Sequence, residues 1–326
     1  MLRFLTRRTI GAAVILLIIA AVTFFLFFAI PADPARLACG KVCPPETLAQ
    51  ARHNLGLDKP LFVQFVAWVA GVFVGRDYEG LGHCPAPCLG FSFVNRAPVF
   101  DTIMDRMPVT ISLTIGASVV FLLFGVGTGI IAALYQGRPL DKIASIASLI
   151  GASVQIYFVG TLAMYFLVFQ WQIIEIPHYV PFTENPAQWA YGLLLPWVVL
   201  AIIFTANYTR MTRSTMVEQL SEDYVRTARA KGMSGRTVIM RFALRGTLTP
   251  IATIFGIDIG TLIGGAIITE TTFNLQGIGR LSIMAVVDSD LPMLMATVLV
   301  AAGAIVVFNI IVDALYAVID PRVRLS

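Results

Sequence analysis

Six apolar runs, each long enough to form a bilayer-crossing helix, govern what this chain can become. They are Ile10–Ile30, Pro108–Tyr135, Ile143–Gln170, Leu193–Tyr208, Pro250–Thr269 and Leu291–Ile319. A spanning helix needs about 20 predominantly apolar residues. Hydrocarbon offers no water to satisfy open backbone, so runs of this kind are helices or nothing. Only 13% of residues are charged and 57% are hydrophobic, against about 25% charged in a soluble domain. The expectation is an all-α integral membrane protein with six transmembrane helices. The fourth run is the weakest, because Pro196 interrupts it and the Trp189–Leu195 stretch before it reads as interfacial.

Charge sets the orientation. Arg3, Arg7 and Arg8 precede the first run, Arg138 and Lys142 lie in the Gln136–Lys142 turn, and Arg322 and Arg324 follow the last run. The opposite loops are poor in Lys and Arg: Trp171–Ala190 has none and Glu270–Asp290 has only Arg280. Basic loops stay on the cytoplasmic side, so both termini are expected there. The net charge of +4 follows from this bias and carries no signal for nucleic acid. The first run exceeds the usual 7–15-residue core of a signal peptide and no A-x-A site follows it, so it reads as an uncleaved anchor.

The expected parts are a tail and anchor helix (1–30), an extracytoplasmic cap (31–107), a transmembrane core (108–319) with a cytoplasmic loop at 210–246, and a cytoplasmic tail (320–326). The cap contains two helix candidates, Pro45–Leu55 and Leu61–Val74, separated by Gly56 and the Asp58-Lys59-Pro60 stop. Below about 80 residues it can bury little core of its own, so it is expected to lie against the membrane surface.

All four cysteines fall in the cap, as two Cys-x3-Cys pairs: Cys39 with Cys43, and Cys84 with Cys88. An extracytoplasmic compartment favours disulfides. The competing reading is a four-thiolate zinc or iron–sulfur site, although two-residue spacing is commoner in such sites. Four cysteines allow three pairings and the sequence does not choose among them.

Catalytic chemistry is missing from the pattern. No G-x4-G-K-[ST] phosphate loop, H-E-x-x-H pair or G-x-S-x-G elbow occurs, and His53, His83 and His178 are scattered. No metal site is expected elsewhere. If the chain moves a solute uphill at the expense of ATP, another subunit must hydrolyse it.

Ionisable groups inside the runs are few. Asp258 lies mid-run, where a charge costs at least about 2.5–3.5 kcal/mol and must face protein or water. Two readings stand side by side: a group lining a solute path, or a structural hydrogen bond. Asp313, with Asn309 and Tyr316 on its face, reads as structural. Gly256, Gly260 and Gly264 form a tandem ridge that lets another helix approach closely. That ridge makes the fifth run the candidate for the central helix. Gly125, Gly127 and Gly129 form a looser patch.

The most distinctive polar stretch lies between the fourth and fifth runs. From Arg210 to Arg245 it holds eight Lys/Arg against three Asp/Glu. Its Ala, Arg, Lys and Glu content favours one or two short helices. The text Asp223-Tyr224-Val225-Arg226-Thr227-Ala228-Arg229-Ala230-Lys231-Gly232 resembles the cytoplasmic coupling loop of bacterial ABC-importer permeases, in the dipeptide, oligopeptide and nickel branch. The resemblance extends over nearly the whole chain. It includes Arg3-Phe4-Leu5-Thr6-Arg7-Arg8, Pro31-Ala32-Asp33-Pro34 and Leu55-Gly56-Leu57-Asp58-Lys59-Pro60-Leu61. It also includes Thr269-Glu270-Thr271-Thr272-Phe273-Asn274, Gly277-Ile278-Gly279, Asn309–Tyr316 and Asp320-Pro321-Arg322.

The resemblance implies an inner-membrane permease subunit that moves peptides delivered by an extracytoplasmic solute-binding protein. Nickel or another small solute is the alternative cargo. The implied partners are a second, homologous permease, two ATPase subunits that hold ATP and magnesium, and membrane lipid. Arg226-Thr227-Ala228 stands where the wider superfamily has Glu-Ala-Ala, and Gly232 where it has its glycine. The ATPase-coupling residues it implies are Asp223, Arg226, Ala228, Lys231 and Gly232; the bland alternative is that the basic face binds anionic lipid. Neither cysteine pair belongs to the family pattern. Two additions appearing together imply a link between the Cys39/Cys43 and Cys84/Cys88 segments. An ATP-independent secondary transporter is the reading from another class, and one mid-span carboxylate is a thin basis for it.

Overall fold

The computed structural model describes residues 2–29, 35–36, 43–55, 57, 59–78, 82–92 and 94–319. Cys39, Pro31–Pro34, Gly56, Asp58 and the tail from Asp320 lie outside the described residues, as do the side chains of Asp313 and Tyr316. Five helices are long and apolar enough to cross a membrane, or six spans if one bent pair is counted as one. The chain divides into two compact units. One comprises Met1–Ile111, Gly260–Glu270 and Gln276–Ile310; the other comprises Ser112–Ile259, Thr271–Leu275 and Ile311–Ser326.

In the first unit, α1 (Leu2–Ala29) carries the anchor span Thr6–Phe28. The two cap helices form where the sequence places them, as α2 (Pro45–Leu55) and α3 (Leu61–Val74). Gly75 ends α3 at φ +85°, a left-handed turn suited to glycine. The chain then departs from the all-α expectation. Short antiparallel strands β1 (Arg76–Tyr78) and β2 (Gly82–Cys84) pair, as do β3 (Phe91–Ser92) and β4 (Ala97–Pro98). Tyr78, Cys84, Cys88 and Phe91 share a small core beneath them.

Cys84 bonds Cys88 with a Cα separation of 5.7 Å. This corrects the expected link between the two cysteine segments. The β2 turn already brings the local thiols within bonding reach, so neither is left for a long-range bridge. Cys43 is also disulfide-bonded, and no cysteine among the described residues is free.

In the second unit α7 (Pro186–Ser221) is central. Half of its most apolar window is buried, against 33% for α9 (Gly235–Ile263). The span the sequence made least certain is therefore the best packed, not the fifth. Pro196 does not break it: α7 runs unbroken for 36 residues, since neighbouring helices can re-satisfy a backbone opened by proline. Asn185 caps its start by accepting from the amides of Ala187 and Gln188 at 3.1 Å.

Small residues set the packing on α7. A Cβ on Gly125 of α4 (Val99–Leu134) would lie 2.7 Å from Tyr208, and one on Gly129 would lie 2.6 Å from Thr212. Gly127, on the other face, meets nothing within 4 Å. The expected third span is not straight. Its halves α5 (Pro139–Ser153) and α6 (Ile156–Gln170) are bent by 94°, with Val154 and Gln155 extended between them.

Candidate functional site

The basic loop folds as α8 (Asp223–Ala230), a two-turn helix set directly after α7. Its apolar positions fall on one face. Val225 and Ala228 are buried with Val238 against Phe242 at the start of α9. Ala228 is 3% exposed, so it seats the helix on its own chain and cannot belong to an exposed contact face. That corrects its expected place beside Arg226.

The opposite face is basic and open: Arg226, Arg229 and Lys231 are exposed. Asp223 pairs with Arg226 at 3.5 Å across one turn, a solvent-exposed pair that contributes little. The helix ends as its glycine suggests. Gly232 has φ +76°, its amide donates to the Arg229 carbonyl at 2.9 Å, and the Met233 amide donates to the Ala228 carbonyl at 3.3 Å. Those two bonds define a Schellman stop. Ser234 immediately caps the start of α9, accepting from the Thr237 amide at 3.4 Å. A rigid turn therefore joins the small helix to a membrane span.

Sequence reasoning missed the fastening beside it. Arg213 of α7 donates to both carboxylate oxygens of Asp141 in the first turn of α5, one bond through Nε and one through Nη2 at 2.8 Å. Asp141 is 5% exposed and also accepts the Gly137 amide at 2.8 Å. The signal was present as a proline at the first helical position, with an acid two residues later.

Asp258 sits on the wall of a cavity of about 560 Å³ whose lining includes Phe204, Asn207, Arg210 and Ser214 of α7 and Ile254 of α9. Tyr208 donates to its Oδ2 at 2.8 Å. This carboxylate is thus hydrogen-bonded, and it lines the groove. The glycine ridge on the same helix divides. Gly256 is buried. Gly260 and Gly264 let α12 (Leu291–Ile319) approach, since a Cβ on either would lie 2.7 Å from Ile305 or 2.8 Å from Ala301. They are a helix interface and not part of the groove's lining.

A second carboxylate stands in the sequence only as part of the resembling loop text, with no role of its own there. Glu270, in α10 (Ile267–Thr272), is fully buried. It accepts the Thr110 hydroxyl at 2.7 Å and the Arg280 amide at 2.9 Å, while Thr110 accepts the Ile278 amide at 2.9 Å. Glu270 thereby closes the start of α11 (Ile278–Val287). Gly277 is needed beside it, because a Cβ there would fall on the carboxylate. Burial pushes this carboxyl above its ordinary range, and the hydrogen bonds oppose the shift.

Known proteins are similar to this chain over nearly its whole length. Residues 1–114 match the family model of the N-terminal part of binding-protein-dependent transport system membrane components. Residues 125–325 match that of the inner membrane component of such systems. A protein of Sinorhizobium fredii, named as a peptide ABC transporter permease, is 34% identical over 98% of this chain and 99% of its own. A protein of Brucella abortus, named as a peptide transport system permease, is 36% identical over 99% of both. The glutathione transport system permease of Salmonella typhi is 35% identical over 99% of both.

Proposed function

Because the chain belongs to the inner membrane components of binding-protein-dependent transport systems, we propose that it forms part of the membrane path of an ABC importer for small peptides. It is a multi-pass membrane permease subunit. Its peptide cargo is inferred from what its relatives are named to carry, glutathione and peptides among them. Both termini and α8 lie in the cytoplasm and the cap outside. Two ATPase subunits bind and hydrolyse ATP with magnesium, a second homologous permease completes the path, and an extracytoplasmic binding protein delivers the cargo.

The observation that carries this reading is α8. A two-turn helix with a buried apolar face, an open basic face and a rigid glycine stop is suited to pass rigid-body motion into α7 and α9. Arg226, Arg229 and Lys231 are placed to meet acidic groups of the ATPase, with Asp223 and Gly232 at the ends of the contact. Asp258 and its groove are the wall past which cargo moves.

Replacing Arg226 by p-benzoylphenylalanine in the assembled importer tests the docking. Irradiation is expected to join it to an ATPase subunit. Adducts to phospholipid alone would assign the basic face to the membrane surface instead.

A further inference from the structure

The cap helix α3 has an apolar face that no described residue of its own unit covers. Leu61–Val74 contains no charged residue, with Lys59 before it and Arg76 after it. Its inner face packs on the first unit: Gln64 and Gly71 are buried, and the Gln64 amide group donates to the Lys59 carbonyl at 2.7 Å. Its outer face is a stripe at helical spacing, Phe62, Val66, Ala70 and Phe73, all exposed, with Phe62 at 70% and Phe73 at 77%.

Two membrane spans fix the depth of that stripe. Phe65 and Trp68 of α3 pack edge-on and tilted against Phe24 of α1, with ring centroids 5.4 and 6.0 Å apart. Phe24 precedes the end of its span at Phe28 by four residues, which is about 6 Å along a helix. Phe65 and Trp68 also pack on the cluster that holds Met295. Met295 lies four residues inside the span beginning at Leu291, again about 6 Å. The surface is continuous as well: Phe25, exposed on α1, lies 5.8 Å from Phe65, so the lipid-facing side of the anchor runs into α3. At 14 residues α3 is about 21 Å long, too short to cross a hydrocarbon core of about 30 Å.

We propose that α3 is a monotopic membrane helix, its stripe of Phe62, Val66, Ala70 and Phe73 inserted into the bilayer leaflet on the cap side. The depth matches the roughly 5–10 Å to which interfacial helices bury their apolar faces. Where such helices turn charged residues to water, α3 turns its other face to protein. The Pro60 carbonyl takes the Val63 and Gln64 amides at 2.9 and 3.1 Å and later amides bond within the helix, so the open amides are those of Leu61 and Phe62 at the Lys59 end, where headgroups and water can satisfy them. The inference rests on the multi-pass membrane reading and not on the identity of the cargo.

Photo-crosslinking of the full chain in native membranes tests it. p-Benzoylphenylalanine is placed singly at Phe62, Val66 or Phe73, at Ile18 on the exposed face of α1, and at Asp77 in β1. The three α3 positions are expected to yield phospholipid adducts comparable with Ile18 and at least about tenfold above Asp77. Adducts to a protein partner at these positions, with Ile18 still joined to lipid, would overturn the proposal and make the stripe a docking face. Yields no higher than Asp77 would place it in water and overturn it too. Loss of the Ile18 adduct would strike the membrane reading itself.

Discussion

Gly232 has no neighbour within 4 Å of the position a Cβ would take, yet its φ of +76° restricts it. Any cost of substitution is therefore conformational, about 1–2 kcal/mol for an ordinary side chain and less for asparagine. Gly232→Asn is expected to keep the Met233 amide protected from hydrogen exchange, and Gly232→Val to expose it. Equal protection in both would mean that the stop does not depend on the left-handed turn. Glu270 makes the opposite case, where partners decide. With its folded pKa above the ordinary value of 4.5, the folded state holds its proton more tightly than the unfolded. Stability is then highest below pH 4.5 and declines as pH rises through the raised value. Glu270→Gln is expected to abolish that decline while weakening α11 by about 1–3 kcal/mol, because an amide nitrogen now faces a donor. Amide exchange at Arg280 against pH reads both effects.

Among the elements, what the sequence made legible follows from what each kind of pattern can report. Apolar length pointed to the five long apolar helices and the bent pair, and Gly232 stopped α8 as its glycine predicts. Span straightness was not legible, because hydropathy counts residues and does not see Val154 and Gln155 leave the helix. Pro196 misled for the reciprocal reason: burial and neighbouring helices decide whether a proline interrupts. The hairpins were hidden by their brevity, two or three residues a strand. At the site, the basic loop could be read from charge, and Asp258 from its cost in hydrocarbon. Asp141 and Glu270 could not, because their partners are 72 and 160 residues away.

The Asp141–Arg213 fastening carries its own expectation. The bond is bidentate, a geometry lysine cannot reproduce, so Arg213→Lys is expected to lose nearly as much thermal stability as Arg213→Ala. A double-mutant cycle with Asp141→Asn is expected to give a coupling of about 1–3 kcal/mol. A coupling near zero would reduce the pair to a surface contact.

At the scale of the whole molecule, the chain is a multi-pass permease subunit whose proposed contact with the ATPase is the small helix α8. Among the described residues, no group of three or more His, Cys, Asp or Glu is placed to hold a metal ion. The family membership fixes the class of machine, and the proposed docking at α8 puts the coupling at the α7–α8–α9 connection. The most direct measurement follows ATP hydrolysis and peptide uptake together in vesicles holding the assembled importer and its binding protein, with the parent chain and with Gly232→Val. The parent is expected to take up peptide only with ATP. The variant is expected to keep its ATPase turnover while losing most of its uptake. Uptake by the parent without ATP, or undiminished uptake by the variant, would contradict the account.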